Sequence, residues 1–378
     1  MKKIDNSLKN AYILCDNKNE EMCLVYYTNE QKMHKYLKTN NIKILQKFAF
    51  INAFVVLVDY DIAQKIARQN FVEYLSYVSN VKTLVNNAKN IMGMSNLTQG
   101  KNDVTVAILD TGISMHLDFV IPKNRIIKFV DFIGNSNFPY DDNGHGTFVA
   151  GVLAGNGVVS NGKYSGFASE CNIISIKALD QKGEANAAKI LEAMQWVFEH
   201  AKKFNIKVVC MSFGSEPLGV TDPIMRGAEK LWKKGIIVVA AAGNSGPKFQ
   251  TIKSPGISPH IITVGGFDAN SSVQDCNKNI FTIAEFSSRG PALAGYKPDC
   301  IAPSVGITSC CNKGGYTALS GTSVATPMIA GICATILSEN PNLTPNQIKK
   351  YLLKNCKSII KGGANKRNIE GFGYPKFN

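Results

Sequence analysis

The sequence predicts an α/β protein, a doubly wound parallel sheet preceded by a small α+β unit on the split βαβ plan. Three observations carry that expectation. Val104–Leu109, Ile173–Leu179, Val208–Phe213 and Ile236–Ala242 are continuous apolar runs, which suit strands buried on both faces of a parallel sheet. Longer helical patterns, Asn186–Phe204 and Pro223–Lys234 among them, lie between these runs, and alternation of strand and helix marks that architecture. The N-terminal part has a different rhythm of short strands and short helices.

In that N-terminal part, Met22–Tyr27 reads as a strand and Glu30–Thr39 as a helix with its lysines outward. Ile42–Phe48 is a short strand, and Ile51–Asp59 (INAFVVLVD) a strong one. Ile62–Gln69 has helical apolar spacing, and Val72–Val78 alternates as a strand. The order is β-α-β-β-α-β. Polar residues crowd Asn80–Gly100, which reads as a linker. Two domains are expected, residues 1–85 and residues 86–378.

Composition narrows the function classes. With 378 residues, 45% of them hydrophobic, the chain has material for a large core. No run reaches the roughly 20 apolar residues of a membrane span. The start MKKIDNSLKN is basic but lacks the apolar core of a secretory signal. A cytoplasmic location is therefore expected, with non-classical export left open. The ten cysteines include no C-x-x-C pair, and Cys310 and Cys311 are adjacent, so free thiols are expected. The formal charge of +14 is spread along the chain without interleaved aromatics. That pattern points to a solvated basic surface and not to a nucleic-acid partner.

Three motifs carry chemistry. Ala107-Ile108-Leu109-Asp110-Thr111-Gly112 ends an apolar strand in a carboxylate and a tight turn, where open α/β sheets collect functional groups. An aspartic protease would need a second such carboxylate, and no other Asp-Thr-Gly or Asp-Ser-Gly occurs. Asn143-Gly144-His145-Gly146-Thr147 sets one of only five histidines between glycines ahead of an apolar helical stretch. Leu319-Ser320-Gly321-Thr322-Ser323 precedes another such stretch, so Ser323 is expected at the start of a helix over Ser323–Ser338. Helix starts favour developing negative charge. A serine hydroxyl needs a base, and that base needs orienting. Asp110, His145 and Ser323 supply those roles, and their chain order is the subtilisin one.

On these residues the sequence resembles the subtilisin-like serine proteases, the subtilases, themselves a worked example of the triad. The resemblance runs from about Asp103 to Leu353. It includes NGHGTFVAG around His145, MSFG at Met211–Gly214, AAGNSG around Asn244, SPG at Ser254–Gly256, FSSRGP at Phe286–Pro291, KPDCIAP at Lys297–Pro303 and GTSVATP around Ser323. It implies Ser323 as nucleophile, His145 as general base, Asp110 as the carboxylate orienting it and Asn244 as oxyanion donor. It further implies a polypeptide substrate held between Ser212-Phe213-Gly214 and Gly183-Glu184-Ala185. Ala241, Ala242 and Gly243 would wall the first specificity pocket.

Lys253 departs from the family pattern near that pocket's floor. An ammonium pointing inward there would favour an acidic side chain before the scissile bond, whereas one pointing to solvent would set no preference. No cofactor is implied for catalysis. The family often binds structural calcium, and Asp118 matches one contributing position, but Gly155–Gly166 does not resemble the usual calcium loop. The N-terminal unit resembles the family's inhibitory prodomain, cut after folding somewhere in Ser76–Met92. A catalytically silent member would have lost a triad residue, whereas all three stand here with Asn244. An active, self-processing endopeptidase is expected. A dedicated processing enzyme would share this chemistry and differ only in its substrates.

Overall fold

The computed structural model describes residues 3–4, 8–9, 12, 20–77, 88–97, 104–269, 274–275, 278–279, 281–293 and 295–377. The chain divides into two compact units, Met1–Thr83 with Asn270–Phe281, and Leu84–Ala269 with Thr282–Asn378.

In the first unit, β1 (Glu21–Tyr27), β2 (Ile44–Phe48), β3 (Ala53–Val58) and β4 (Val72–Tyr77) form an antiparallel sheet in the order β2-β3-β1-β4. Two helices complete the split βαβ plan. Asn29 caps Glu30–Thr39 by accepting from Lys32 N, and Asp59 caps Tyr60–Ala67 by accepting from Ile62 N. Such caps satisfy N–H groups that the first turn leaves unpaired. Met33, Leu37, Ala63 and Ile66 face inward to join Val25, Phe54, Val56 and Leu75 in the core. The strand expected from Ile51 begins instead at Ala53. Ala49–Ile51 is a 3₁₀ turn, ended by Asn52 at φ 50°.

The second unit is built on β5 (Thr105–Asp110), β6 (Ile126–Asp131), β7 (Asn172–Lys177), β8 (Ile206–Met211), β9 (Ile237–Ala241) and β10 (Ile262–Asp268). These pair in parallel in the order β10-β9-β8-β5-β7-β6. Two two-residue strands, β11 (Gln274–Asp275) and β12 (Lys278–Asn279), belong to the first unit and pair with each other. β13 (Thr282–Ile283) adds antiparallel to β10, and β14 (Cys300–Pro303) adds parallel to it. Every residue of β5 and β9 is buried, so both faces of the sheet are covered. The helices His145–Ala154 and Thr322–Glu339 pack on each other, as do Ala187–His200 and Pro223–Lys233. The antiparallel hairpin β15 (Ile307–Cys310) and β16 (Tyr316–Leu319) lies against His145–Ala154.

The expected linker is only partly one. Residues 78–87 and 98–103 lie outside the described residues. Between them, Ala88–Ile91 and Met94–Asn96 are helical turns, with Ala88, Met92 and Met94 buried. Phe377 N donates to Met92 O at 3.0 Å, so the C-terminal end of the second unit holds this turn. The KPDCIAP motif proves to be a buried brace. Lys297 Nζ donates to Ile261 O at 3.1 Å, Thr263 Oγ1 at 2.9 Å and Asp299, and Asp299 also pairs with Lys349. Burial pulls the Lys297 ammonium down to about 8.

Candidate active site

Asp110 ends β5 and His145 opens a helix, and the two meet at the carboxyl end of the sheet. His145 Nδ1 lies 2.7 Å from Asp110 Oδ1, which also accepts from Thr111 N at 2.8 Å. Asp110 is 1% exposed, and its second oxygen is buried with no hydrogen-bond partner among the described residues. The helix can approach this closely because position 146 is glycine. A Cβ there would stand 2.2 Å from Gly112 O. Desolvation pulls the pKa of His145 down, but the charge and hydrogen bond of Asp110, with a smaller pull from Asp141, raise it above its ordinary value. A carboxylate beside an imidazole stabilises the protonated ring in this way.

Asp141 frames the same helix. It accepts from Thr147 N at 2.8 Å, Thr147 Oγ1 at 2.7 Å, Gly144 N at 2.8 Å and Thr111 Oγ1 at 2.8 Å. Burial pushes its carboxyl up, but these donors outweigh it and hold the pKa below the usual range. Lys177, fully buried at the end of β7, ties this loop to the sheet. Its Nζ donates to Thr111 O and Asp142 Oδ1, each at 2.6 Å.

Ser323 is the second residue of the helix Thr322–Glu339, which begins one residue before the expected start. Asn244 stands beside it. Asn244 Oδ1 accepts from both Thr322 N and Thr322 Oγ1 at 2.9 Å. These two hydrogen bonds fix the amide, leaving Nδ2 on the other side. A Cβ on Gly321 would sit 3.1 Å from Ser323 Oγ and 3.3 Å from Asn244 Nδ2. One small space is therefore bordered by the hydroxyl, the amide donor and the start of a helix. FSSRGP buttresses this loop from behind, with Ser288 Oγ accepting from Ser245 N at 3.1 Å and Phe286 O from Gly246 N at 2.9 Å.

The residues expected to flank a substrate fall into two groups. Gly183-Glu184-Ala185 belongs to a turn in which Asp180 N donates to Glu184 O at 2.9 Å, and Glu184 and Ala185 are exposed with no strand partner among the described residues. Ser212, Phe213 and Gly214 continue from β8, and Ala241, Ala242 and Gly243 from the end of β9. Lys253 joins these last two groups. Its N–H donates to Ala242 O at 2.9 Å, and the next residue bridges Ser254 to Ser215. The Lys253 side chain lies between them. A Cβ on Gly214 would be 2.6 Å from Lys253 Cβ, and one on Gly243 would be 2.5 Å from Lys253 Cγ. Its ammonium pairs with Glu216, whose side chain is 82% exposed. The stem thus points inward while the charge is met at the rim.

Asp118 does not fit calcium. That ion takes about 6–8 oxygen ligands. In place of that oxygen shell the Asp118 carboxylate is faced by a thiol and an imidazole, Cys310 Sγ at 3.5 Å and His116 Nδ1 at 3.8 Å, with Val159 N and Tyr316 Oη donating to it at 3.1 and 2.9 Å.

The model of the subtilase family matches residues 101–373. The chain belongs to the subtilase family. Serine protease AprX of Bacillus subtilis is 41% identical over 295 residues, which cover 72% of this chain and just under two thirds, 65%, of AprX. Subtilisin E of the same organism is 31% identical over 321 residues, 82% of this chain and 77% of that protein. Among solved structures, the chain resembles sphericase with a TM-score of 0.67 and 29% identity, covering 79% of this chain and 99% of the other. The S41 psychrophilic protease gives a TM-score of 0.67 at 30% identity, covering 79% of this chain and all of that one (100%).

Sequence reasoning passed over four residues of this subtilase site. Thr322 clamps Asn244, Asp141 caps the His145 helix, Lys177 braces the loop and Glu216 holds the Lys253 ammonium. Asp141, four residues before His145 at the mouth of a helix, carried a readable signal.

Proposed function

We propose that this subtilase is a serine endopeptidase, made as a zymogen and processed by itself. The observation that carries the reading is the 2.7 Å contact of His145 Nδ1 with Asp110, at the same carboxyl end of the sheet as Asn244 and the serine beside it. In this reading Ser323 Oγ attacks the peptide carbonyl as His145 takes its proton. Asp110 holds the imidazole tautomer and stabilises the imidazolium. Asn244 Nδ2 and the Ser323 N–H receive the oxyanion. The loss of one such donor typically costs about 2.7–4 kcal/mol of transition-state stabilisation, a figure from subtilisin itself. His145 then protonates the leaving amine, and water reverses the sequence to free the acid. A fluorophosphonate probe should label the wild-type protein at Ser323 and leave Ser323→Ala unlabelled. An unlabelled wild type, or label on another residue, would sink the reading.

The substrate is a polypeptide lying as a strand between Gly183–Ala185 and Ser212–Gly214. The N-terminal unit acts as inhibitor and folding template. Its cut falls between Tyr77 and Ala88, after the last strand of one unit and before the first helix of the other.

Lys253 selects by size. An ion pair to an exposed carboxylate is worth only about 0–1 kcal/mol, so an acidic substrate could compete for the ammonium. Residues 78–87, however, contain no Asp or Glu, and self-processing there needs no acid. The stem fills the base of the slot, so short side chains such as Asn, Ser and Ala are preferred before the scissile bond. Lys253→Gly should raise kcat/KM for Phe or Met at that position about tenfold or more relative to Ala. An unchanged ratio across a peptide series would remove Lys253 from the pocket.

A further inference from the structure

Three side chains outside the chemistry above meet in one buried cluster. His116 and Asp118 follow β5 at the short helix Leu117–Val120, and Cys310 ends β15. Their ligating atoms all lie within 4.8 Å of one another. His116 Nδ1 is 3.8 Å from Asp118 Oδ1, and Cys310 Sγ is 3.5 Å from Asp118 Oδ2. We propose that this cluster is a binding site for a borderline divalent cation of the zinc or cadmium class, ligated by His116 Nδ1, the Asp118 carboxylate and Cys310 Sγ.

Geometry, tautomer and charge agree on that class of ion. A tetrahedral centre with ordinary Zn–N, Zn–O and Zn–S bonds sets its ligand atoms roughly 3.3–3.6 Å apart, and two contacts of the Asp118 carboxylate, 3.8 Å to His116 Nδ1 and 3.5 Å from Cys310 Sγ, lie close to that spacing. His116 Nδ1 accepts from Asp118 N at 3.2 Å, and its Nε2 therefore carries the proton, donated to Gly315 O at 2.8 Å. An Nε2–H held on a carbonyl is the arrangement found behind metal-bound histidine, and on binding Nδ1 would exchange its bond from Asp118 N for the ion.

Asp118 is 0% exposed, and no Lys or Arg pairs with its carboxylate among the described residues. The nearby Arg125 spends its guanidinium on backbone carbonyls, those of Asp118 and Ala154 included. A buried carboxylate without a cation is costly. A divalent ion would be neutralised by one carboxylate and one thiolate, the thiol proton leaving to solvent. Thiolate and imidazole select zinc-like ions over calcium or magnesium. The ion would tie the turn after β5 to the hairpin that supports the His145 helix, where Ser309 Oγ donates to Phe148 O at 2.9 Å.

The test uses full-length Ser323→Ala, which cannot digest itself, stripped with chelator and titrated with Cd(II) and Zn(II). One cadmium per chain should appear with a thiolate-to-metal ultraviolet band. Zinc at a hundred times its Kd should raise Tm by about 5–10 °C. The further change Cys310→Ser should abolish the band, while Cys311→Ser keeps it. If Cys310→Ser does not fold, His116→Gln must weaken zinc binding about tenfold or more. Absence of the band, its persistence without Cys310, or an equal Tm rise with calcium would overturn the proposal.

Discussion

Expressed as the full chain, the wild type is expected to lose an N-terminal fragment ending between Tyr77 and Ala88, while Ser323→Ala keeps its full mass. The cut requires an activated hydroxyl, and Ser323 stands at a helix start beside the clamped amide of Asn244. In subtilisin, removal of the nucleophile lowers kcat by about 2 × 10⁶, and a loss of that order is expected here with a peptide substrate. Intact mass over time reads the processing, and sequencing the new N-terminus reads the bond. The residue before that bond also tests the slot, since a bulky aromatic there would contradict the fit of Lys253 between Gly214 and Gly243. If both proteins were cut alike, the cleavage would belong to another enzyme and the zymogen reading would fall.

Asp110→Asn should lower kcat by about 10⁴ while leaving the fold intact, because the amide can offer His145 the wrong partner and stabilise the wrong tautomer. The pH profile carries a second signature. Asp110 raises the pKa of His145. With its charge removed, the pKa falls, and the neutral imidazole persists to lower pH. The acid limb of the residual activity should therefore move to lower pH. A loss below about tenfold with an unmoved limb would show that Asp110 does not orient the base.

The fold was legible wherever local pattern and final environment coincide. The apolar runs of β5 and β9 are apolar because both faces are covered. The turn at Ala88–Asn96 was hidden because its partner is Phe377, at the far end of the chain, and its few apolar residues stand among polar ones. Asp110, His145, Asn244 and Ser323 were readable as motifs. Thr322 and Glu216 were not, since an ordinary threonine and an exposed glutamate acquire their roles only from what lies across the fold. The position of Asp118 matches a calcium ligand of the family, whereas the three donors around its carboxylate are visible only in three dimensions.

The strand order of the large sheet has a kinetic consequence. β5 pairs with β7 on one side and β8 on the other, joining Thr105 to Asn172 and to Ile206. None of these contacts can form until a long loop has closed, and parallel pairing offers no hairpin from which to start. Folding of this unit should therefore be slow, because loop-closure entropy is lost before the contacts that offset it exist. The N-terminal unit pairs antiparallel strands over short distances and escapes most of that cost. Where native contacts are formed late, the same barrier slows their loss. In a solution of proteases, survival is then set by the rate of escape from the native state.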